Sequence, residues 1–308
     1  MQHLTVEHST IYRYARPVRF GEHRLMFRPR DSHDIRLIST GIKITPPAEI
    51  RWLHDVFNNS IAIASFSDMA DTLEFVSTIT LEHYGGDYPD LTLAPYARIF
   101  PFTYSGEEMA DLGRTLERHY EDPEHEVLEW ARQFLNREGE THTYDMLIAM
   151  NSAINARFSY ARRYDLGTQP PLETLRKGSG SCRDFALLMM EAVRSLGLAA
   201  RFVSGYLYDP VLDGGSESMV GAGETHAWVQ VYLPGAGWVE FDPTNGLIGG
   251  ANLIRVAVAR DPSQAVPLQG SFFGAASDFI DMEVKVTVTA RQAGQGASPT
   301  SRPLVATL

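Results

Sequence analysis

The first hundred residues alternate between hydrophobic and polar side chains with a period of two, which is typical of β-strands with one buried face. Strands are predicted in seven short stretches: 4–8, 11–14, 25–28, 35–44, 50–53, 60–66 and 72–81. Turn residues such as Asn58-Asn59 separate these stretches at short intervals, and no long helical period interrupts them. The pattern predicts an antiparallel β-sandwich domain over residues 1–100.

The pattern changes after a stretch rich in Pro and Tyr at 87–105, which is interpreted as a linker. Beyond it, apolar residues recur at steps of three and four, and this spacing predicts helices at 111–119, 125–135 and 144–157. A second domain is therefore predicted over residues 101–290. The tail 291–308 consists mainly of Gly, Ser, Pro, Thr and Ala and is expected to be flexible.

One stretch of the second domain combines a glycine-rich turn with the start of a helix: Gly178-Ser179-Gly180-Ser181-Cys182-Arg183-Asp184-Phe185-Ala186. Apolar residues continue at helical spacing as far as Leu196, and Gly197 supplies a stop. Ser181 and Asp184 have the spacing of a capping box. The pattern places Cys182, the only cysteine among 308 residues, in the first turn of the helix.

This position has chemical meaning because a helix N-terminus stabilises negative charge by ~0.3–1 kcal/mol, and the thiolate is the reactive form of cysteine. An efficient thiolate also needs a partner, usually a histidine. The alternative is a buried structural cysteine, since free Cys is among the most buried residue types. The preceding glycines favour function, because they allow the backbone to approach a ligand closely.

Two later stretches, 225–233 and 238–242, read as a β-hairpin joined by Pro234-Gly235-Ala236-Gly237. If the aliphatic faces of the two strands lie together, His226 and Asp242 share the opposite face. Asp242 could then orient His226, and His226 could deprotonate Cys182. Taken singly, His226 could be a packing residue and Asp242 the start of an Asp-Pro turn; their joint occurrence favours a catalytic site.

Composition excludes several classes of function. The net charge of −11 argues against a nucleic-acid partner. A single cysteine cannot form an intrachain disulfide or a multi-cysteine zinc site, and the histidines lack metal-ligand spacing, so neither a metal nor a cofactor is expected. No apolar run approaches the ~18 residues of a membrane span, and the N-terminus lacks the pattern of a signal peptide. A cytoplasmic protein without a membrane partner is expected, and its oligomeric state stays open.

The quoted turn, together with Leu196–Arg201, Ser204-Gly205-Tyr206, His226-Ala227-Trp228 and Phe241–Gly246, resembles the bacterial transglutaminase-like family. Outside the core, the resemblance extends to Leu25–Pro29, Asp55–Asn59 and Ile254–Asp261. Asn58 and Ala259 stand where that family usually has glycine. The resemblance implies an α+β fold: a papain-like core, in which a helix bundle packs on an antiparallel sheet, preceded by the β-sandwich domain.

The resemblance also implies that Cys182, His226 and Asp242 are the catalytic residues. The thiolate would attack an amide carbonyl of a peptide or protein substrate and form a thioester. If water accepts the acyl group, the enzyme is a peptidase or amidase, which is the preferred interpretation; if an amine accepts it, the enzyme is a transglutaminase. A non-catalytic binding module is the alternative outside enzymes. The glycine-rich loop 210–223 is expected to border the cleft and to be mobile.

Overall fold

The computed structural model describes residues 1–86, 91–163, 167–213, 219–221 and 223–290. Its strands are β1 (Gln2–Phe20), β2 (His23–Leu25), β3 (Ile35–Thr45), β4 (Ala48–His54), β5 (Ser60–Phe66), β6 (Met69–His83), β7 (Ile99–Phe100), β8 (Thr141–His142), β9 (Ser159–Tyr160), β10 (Ser179–Gly180), β11 (Ala200–Leu207), β12 (His226–Leu233), β13 (Gly237–Asp242), β14 (Leu247–Ile248), β15 (Leu253–Ala259), β16 (Leu268–Gln269), β17 (Phe272–Phe273) and β18 (Phe279–Ala290). Its α-helices are α1 (Gly106–Leu112), α2 (Glu126–Arg132), α3 (Thr143–Arg157), α4 (Pro171–Lys177) and α5 (Cys182–Ser195). Short 3₁₀ turns lie at Pro95–Ala97, Gly113–Leu116, Pro210–Asp213, Pro262–Gln264 and Ala276–Asp278.

Two antiparallel sheets form the N-terminal β-sandwich. The long sheet has the order β3-β6-β1, with β17 and β18 both on the free edge of β1, and the short sheet has the order β4-β5-β2-β16. Their facing sides enclose an apolar core of Tyr14, Val18, Phe20, Leu25, Phe27, Ala62, Ala64, Leu73 and Phe75. The antiparallel β-sandwich predicted from the alternation is confirmed. The stretches predicted at 4–8 and 11–14 belong to a single strand, β1, which continues to Phe20.

The sandwich uses strands from both ends of the chain. Residues 268–290, which the sequence analysis placed with the second domain, pair with β1 and β2 of the N-terminal sheets. The longest of these returning strands, β18, runs antiparallel along β1 from Leu4 to Tyr14. Without it, one edge of β1 would expose unpaired backbone groups over most of its length, so the return completes the sheet.

One face of the long sheet packs on two other sheets, of which the short sheet is the first. Towards the start of β1 and the end of β6, the same face packs on the sheet of the second domain. This second contact is apolar and consists of Leu4, Val6, Ile35, Ile79, Leu81, Tyr206, Tyr208, Ile254, Val256, Val286 and Val288. The turn at Asn58-Asn59 adds a polar contact: Asn58 adopts a left-handed backbone with φ of 61°, and the Asn59 side chain pairs with the backbone N–H and C=O of Val258 at 2.9 and 2.7 Å.

The second domain is built on an antiparallel sheet of order β14-β13-β12-β11-β15, which we call the core sheet. The aliphatic face of its β12–β13 hairpin, including Val229, Val231 and Phe241, packs in the main core with α5. Helices α2, α3 and α4 surround α5. A helix bundle on an antiparallel sheet, preceded by a β-sandwich, is the α+β fold predicted from the sequence.

Two helices differ from the sequence prediction. The helix predicted at 111–119 begins earlier and ends at Leu112, and a 3₁₀ turn at Gly113–Leu116 follows it. It begins earlier because Ser105 caps α1: its hydroxyl accepts the Glu108 N–H at 3.2 Å and the Glu108 carboxylate accepts the Ser105 N–H at 2.9 Å. The prediction missed α4, which begins at Pro171 and ends at Lys177, where Gly178 follows in a left-handed conformation and caps the helix. The tail 291–308 lies outside the described residues.

Candidate active site

Cys182 is the first residue of α5, as the sequence pattern predicts, and its side chain is largely buried. The turn before it is held by Asp184. Its Oδ2 accepts hydrogen bonds from the N–H and the hydroxyl of Ser181 at 2.8 and 2.9 Å. Asp184 therefore serves the helix start, and its partners fix the backbone that carries the sulfur.

The second oxygen of Asp184 ties another segment to this turn. Oδ1 accepts the N–H of Gln169 at 2.7 Å and a guanidinium hydrogen of Arg163 at 2.9 Å. Gly180 lies so close that a Cβ at this position would sit 2.8 Å from the Asp184 Cβ. This contact explains the glycine two residues before the cysteine: a larger residue would displace the carboxylate that orders the turn.

The β12–β13 hairpin brings His226 and Asp242 together. The register pairs Gln230 with Glu240, so Asp242 is diagonal to His226 on the same face of the sheet. Nε2 of His226 and Oδ2 of Asp242 are 2.8 Å apart, and both side chains are fully buried. The shared face inferred from the alternation is therefore present, and the two groups form a direct hydrogen bond.

Electrostatics favour the charged form of this pair. Burial opposes protonation of His226, but the adjacent Asp242 carboxylate outweighs it, and with a smaller contribution from Cys182 the pKa of His226 is raised to about 10. Burial likewise opposes ionisation of Asp242. The charge of His226 and the hydrogen bonds from His226, Asn245 and Thr244 overcome this effect and lower the pKa of Asp242.

The other ring nitrogen of His226, Nδ1, is free to serve the thiol. It is buried and has no nitrogen or oxygen partner within the described part of the chain. Cys182 is close enough to raise the pKa of His226, and with Nε2 bonded to Asp242, Nδ1 is the nitrogen left for the sulfur. The order of groups is thus thiol, imidazole and carboxylate, which is the arrangement of a nucleophile, its base and the residue that orients the base.

A buried tryptophan packs against the ring of His226. The rings of Trp228 and His226 stack with centroids 6.0 Å apart and planes inclined by 28°. Trp228 packs in turn on Gly205, where a Cβ would meet the indole ring at 2.7 Å and the Ile254 carbonyl oxygen at 2.2 Å. Only glycine fits at this place between strands. Gly205 therefore lets Trp228 pack close to the strand, in the position where its ring stacks with His226.

Tyr160 is a site residue that the sequence analysis did not identify. It pairs with Gly180 across the parallel β9–β10 ladder, and its ring meets Phe185, one helical turn beyond Cys182, edge to face at 6.5 Å. Burial, followed by the charge of Cys182, raises the pKa of Tyr160 to about 12, so the phenol stays protonated at neutral pH. The sequence pattern around Tyr160 is a weak indicator of a functional role, since the residue lies in a two-residue strand just after α3.

The described part of the loop that precedes His226 packs against the site. The Met219 N–H donates to Asp209 at 3.0 Å, and the backbone of Gly221 is so close to the imidazole that a Cβ would lie 3.0 Å from Nδ1. Near the same place, Arg162 and Glu224 form an ion pair at 3.1 Å. Residues 214–218 and 222 of this loop lie outside the described residues, so its predicted mobility stays a prediction.

Among the residues that the structure describes, no group of three or more His, Cys, Asp or Glu side chains is arranged to hold a metal ion. Within the same residues, every helix is too short or too polar to span a bilayer.

The fold and the site together define a class: a papain-like α+β protein with a Cys-His-Asp constellation at the start of a helix and on a β-hairpin. Two family models match this chain, the transglutaminase-like superfamily over residues 129–243 and the bacterial transglutaminase-like N-terminal region over residues 4–82. The chain therefore belongs to the bacterial transglutaminase-like family, as the resemblance in the sequence implies.

Sequence relatives match different shares of the chain. An uncharacterized protein of Mycobacterium tuberculosis is 29% identical over 294 residues, which cover 91% of each chain. An uncharacterized protein of Mycobacterium leprae is 35% identical over 119 residues, 38% of this chain and 40% of that protein. The crystal structure of a candidate cysteine protease from Cytophaga hutchinsonii superposes with a TM-score of 0.69 at 18% identity, covering 98% of this chain and 94% of that one. This likeness supports the α+β fold.

Proposed function

We propose that the protein is a cysteine-dependent enzyme that cleaves amide bonds in a peptide or protein substrate through a thioester intermediate. The observation that carries the proposal is the buried 2.8 Å hydrogen bond between His226 and Asp242, with Nδ1 of the ring left for Cys182. A histidine and a carboxylate in this order, next to a cysteine at a helix start, support nucleophilic catalysis better than a purely structural role.

In the first half of the reaction, the sulfur of Cys182 attacks the carbonyl carbon of the amide. The carbonyl oxygen gains the negative charge, and the N–H of Cys182, at the start of α5, is placed to stabilise it. When the C–N bond breaks, His226 gives its Nδ1 proton to the departing amine. Asp242 holds the ring through Nε2 throughout, so that Nδ1 stays directed towards the sulfur.

In the second half, the thioester is released. His226, now neutral, removes a proton from water, and the hydroxide oxygen bonds to the acyl carbon as the C–S bond breaks. The products are a carboxylic acid and the regenerated thiolate–imidazolium pair. If an amine replaces water, the same steps form a new amide, which is the transglutaminase reaction. We propose water as the acceptor, in line with the cysteine-protease description of the structure from Cytophaga hutchinsonii.

The test uses two probes on the wild-type protein and on the variants Cys182→Ala and His226→Ala. Iodoacetamide reports the reactivity of the thiol, and p-nitrophenyl acetate reports formation of an acyl-enzyme, seen as a burst of nitrophenol and a mass increase on Cys182. Peptide mixtures with and without an added primary amine then identify the acceptor by mass spectrometry.

We expect labelling of Cys182 that depends on His226, an acyl-enzyme burst, and peptide products that carry free carboxylates. Amine-containing products would instead assign transglutaminase activity. If His226→Ala leaves both the labelling rate and the burst unchanged, His226 is not the base and the proposed mechanism is wrong. If the wild-type protein shows neither labelling of Cys182 nor a burst, Cys182 is a structural residue, as in a non-catalytic binding module.

A further inference from the structure

Asn245 lies two residues beyond Pro243, in the turn that follows β13, and its amide group contacts both the carboxylate of Asp242 and the loop that covers His226. We propose that Asn245 is a positioning residue for His226, fixing the ring at both of its nitrogens through these two contacts. The inference rests on the proposed function, in which both nitrogens of His226 have a task.

The first contact holds the carboxylate. Nδ2 of Asn245 donates to Oδ2 of Asp242 at 2.9 Å, the same oxygen that accepts Nε2 of His226. The N–H of Thr244 donates to the other oxygen at 2.9 Å. With donors on both oxygens, the carboxylate cannot rotate away from the imidazole without breaking at least two hydrogen bonds, and its negative charge is stabilised where His226 needs it.

The second contact holds the loop. Oδ1 of Asn245 accepts the N–H of Val220 at 2.9 Å, and Nδ2 donates its other hydrogen to the Val220 carbonyl at 3.2 Å. The next residue, Gly221, has a φ of 89° and lies against Nδ1 of His226. The amide thus anchors the backbone segment that packs on the ring edge facing the thiol.

Asparagine is suited to this task because its side chain has an acceptor and two donors. Both hydrogens of Nδ2 and the oxygen are used at once, by Asp242 and by the two backbone groups of Val220. An aspartate here would replace the donor by a second carboxylate oxygen facing Asp242, and the repulsion would oppose ionisation of both groups. An alanine would leave both backbone groups of Val220 without these partners, and Oδ2 of Asp242 would keep only its hydrogen bond with His226.

Asn252 provides a matched control. Its Nδ2 lies 3.6 Å from the sulfur of Met219, in the same loop. The structure shows no hydrogen bond between Asn252 and Asp242. Asn252→Ala therefore removes an amide that touches the loop and leaves the carboxylate untouched. The variants to compare are Asn245→Ala, Asn245→Asp and Asn252→Ala, each first checked for wild-type thermal unfolding and circular dichroism.

The measured quantities are the rate of Cys182 labelling by iodoacetamide from pH 5.5 to 10 and the p-nitrophenyl acetate burst. We expect Asn245→Ala to move the alkaline limb of the profile to lower pH by about one unit, the size expected for losing one hydrogen bond to a charged group, and to slow labelling by up to about tenfold at the alkaline end of the range. Asn245→Asp should also slow labelling, because it loses the donor to Asp242, but its alkaline limb should shift less than that of Asn245→Ala, since an added negative charge stabilises the imidazolium. Asn252→Ala should keep the wild-type profile.

A purely structural role would lower thermal stability without moving the pH profile. The inference is overturned if folded Asn245→Ala keeps the wild-type profile, or if Asn252→Ala shifts it equally. These results leave the proposed function intact as long as labelling still depends on His226. Loss of that dependence in the wild-type protein would instead refute the proposed function.

Discussion

The most direct test of the His226–Asp242 pair is the substitution Asp242→Asn, which keeps the size of the side chain and removes its charge. In the wild-type protein the carboxylate accepts hydrogen bonds from Nε2 of His226, Nδ2 of Asn245 and the N–H of Thr244, and each of these groups is a donor. An amide NH₂ at this position therefore meets a donor in either orientation. The amide oxygen can still face His226 and Asn245, but the NH₂ group then faces the N–H of Thr244, and that hydrogen bond is lost.

The magnitude follows from the pKa of His226. Its increase from 6.5 to about 10 corresponds to about 5 kcal/mol in favour of the charged ring. A neutral hydrogen bond from the amide supplies only about 1 kcal/mol, so the pKa of His226 should fall to about its ordinary value or below. A ring with a pKa near 6.5 is only about one-tenth protonated at pH 7.5. The reactive thiolate–imidazolium pair should therefore become about tenfold less populated.

The assay is the pseudo-first-order rate of Cys182 alkylation by iodoacetamide, followed by intact-protein mass from pH 5.5 to 10. We expect Asp242→Asn to react about tenfold more slowly than wild type at pH 7.5. The difference should be largest between pH 7 and 9, where only the wild-type ring is charged. It should narrow below about pH 6, where the ring is protonated in both proteins.

The double variant His226→Ala with Asp242→Asn isolates the mechanism. If Asp242 acts through His226, adding Asp242→Asn to His226→Ala changes the alkylation rate no further. The reasoning is refuted if folded Asp242→Asn labels at the wild-type rate at pH 7.5, or if the two substitutions slow the reaction independently.

Three further substitutions test other parts of the structure. Cys182→Ala should abolish the acyl-enzyme burst and keep a near-native thermal unfolding curve; a remaining burst would locate the nucleophile elsewhere. Asp184→Asn should destabilise the protein by ~1–3 kcal/mol in urea unfolding, because an NH₂ group would face donors from Ser181, Gln169 or Arg163; an unchanged unfolding midpoint would contradict this account. Burial lowers the pKa of His8 to about 4, so the folded state binds fewer protons than the unfolded state between pH 6.5 and 4, and stability should fall by about 3 kcal/mol as the pH decreases through this range. His8→Gln should lose less stability between pH 7 and 4.5, and an equal loss would show that His8 is not responsible.

Local sequence signals were sufficient for the elements that carry the proposed triad. The spacing of Ser181 and Asp184 located the helix start at Cys182, because capping is a local interaction. The alternation along 225–233 and 238–242 placed His226 and Asp242 on one face, because the side-chain period of a strand is fixed. Their hydrogen bond then required only the antiparallel register that a short hairpin produces.

Features that depend on contacts between distant segments could not be read in the same way. Nothing in 279–290 alone indicates that this strand pairs with β1 rather than with the core sheet, since alternation gives a face but no partner. The motif Phe241–Gly246 included Asn245, yet its role depends on Val220, which lies 25 positions earlier. Tyr160 is likewise defined only by the parallel pairing that sets it beside Gly180.

The N-terminal sandwich bears on the choice between an enzyme and a binding module. The face of the long sheet that carries Val6 and Val288 also covers Tyr206 and Ile254 of the core sheet, so the two sheets share one apolar core. At the edge of this contact, the Val286 N–H donates to the Gly223 carbonyl at 2.9 Å, three residues before His226.

The sandwich thus supports the strand and the loop that position His226. A module whose β domain worked alone would not need this connection, whereas an enzyme whose imidazole must stay fixed between a thiol and a carboxylate gains from it directly.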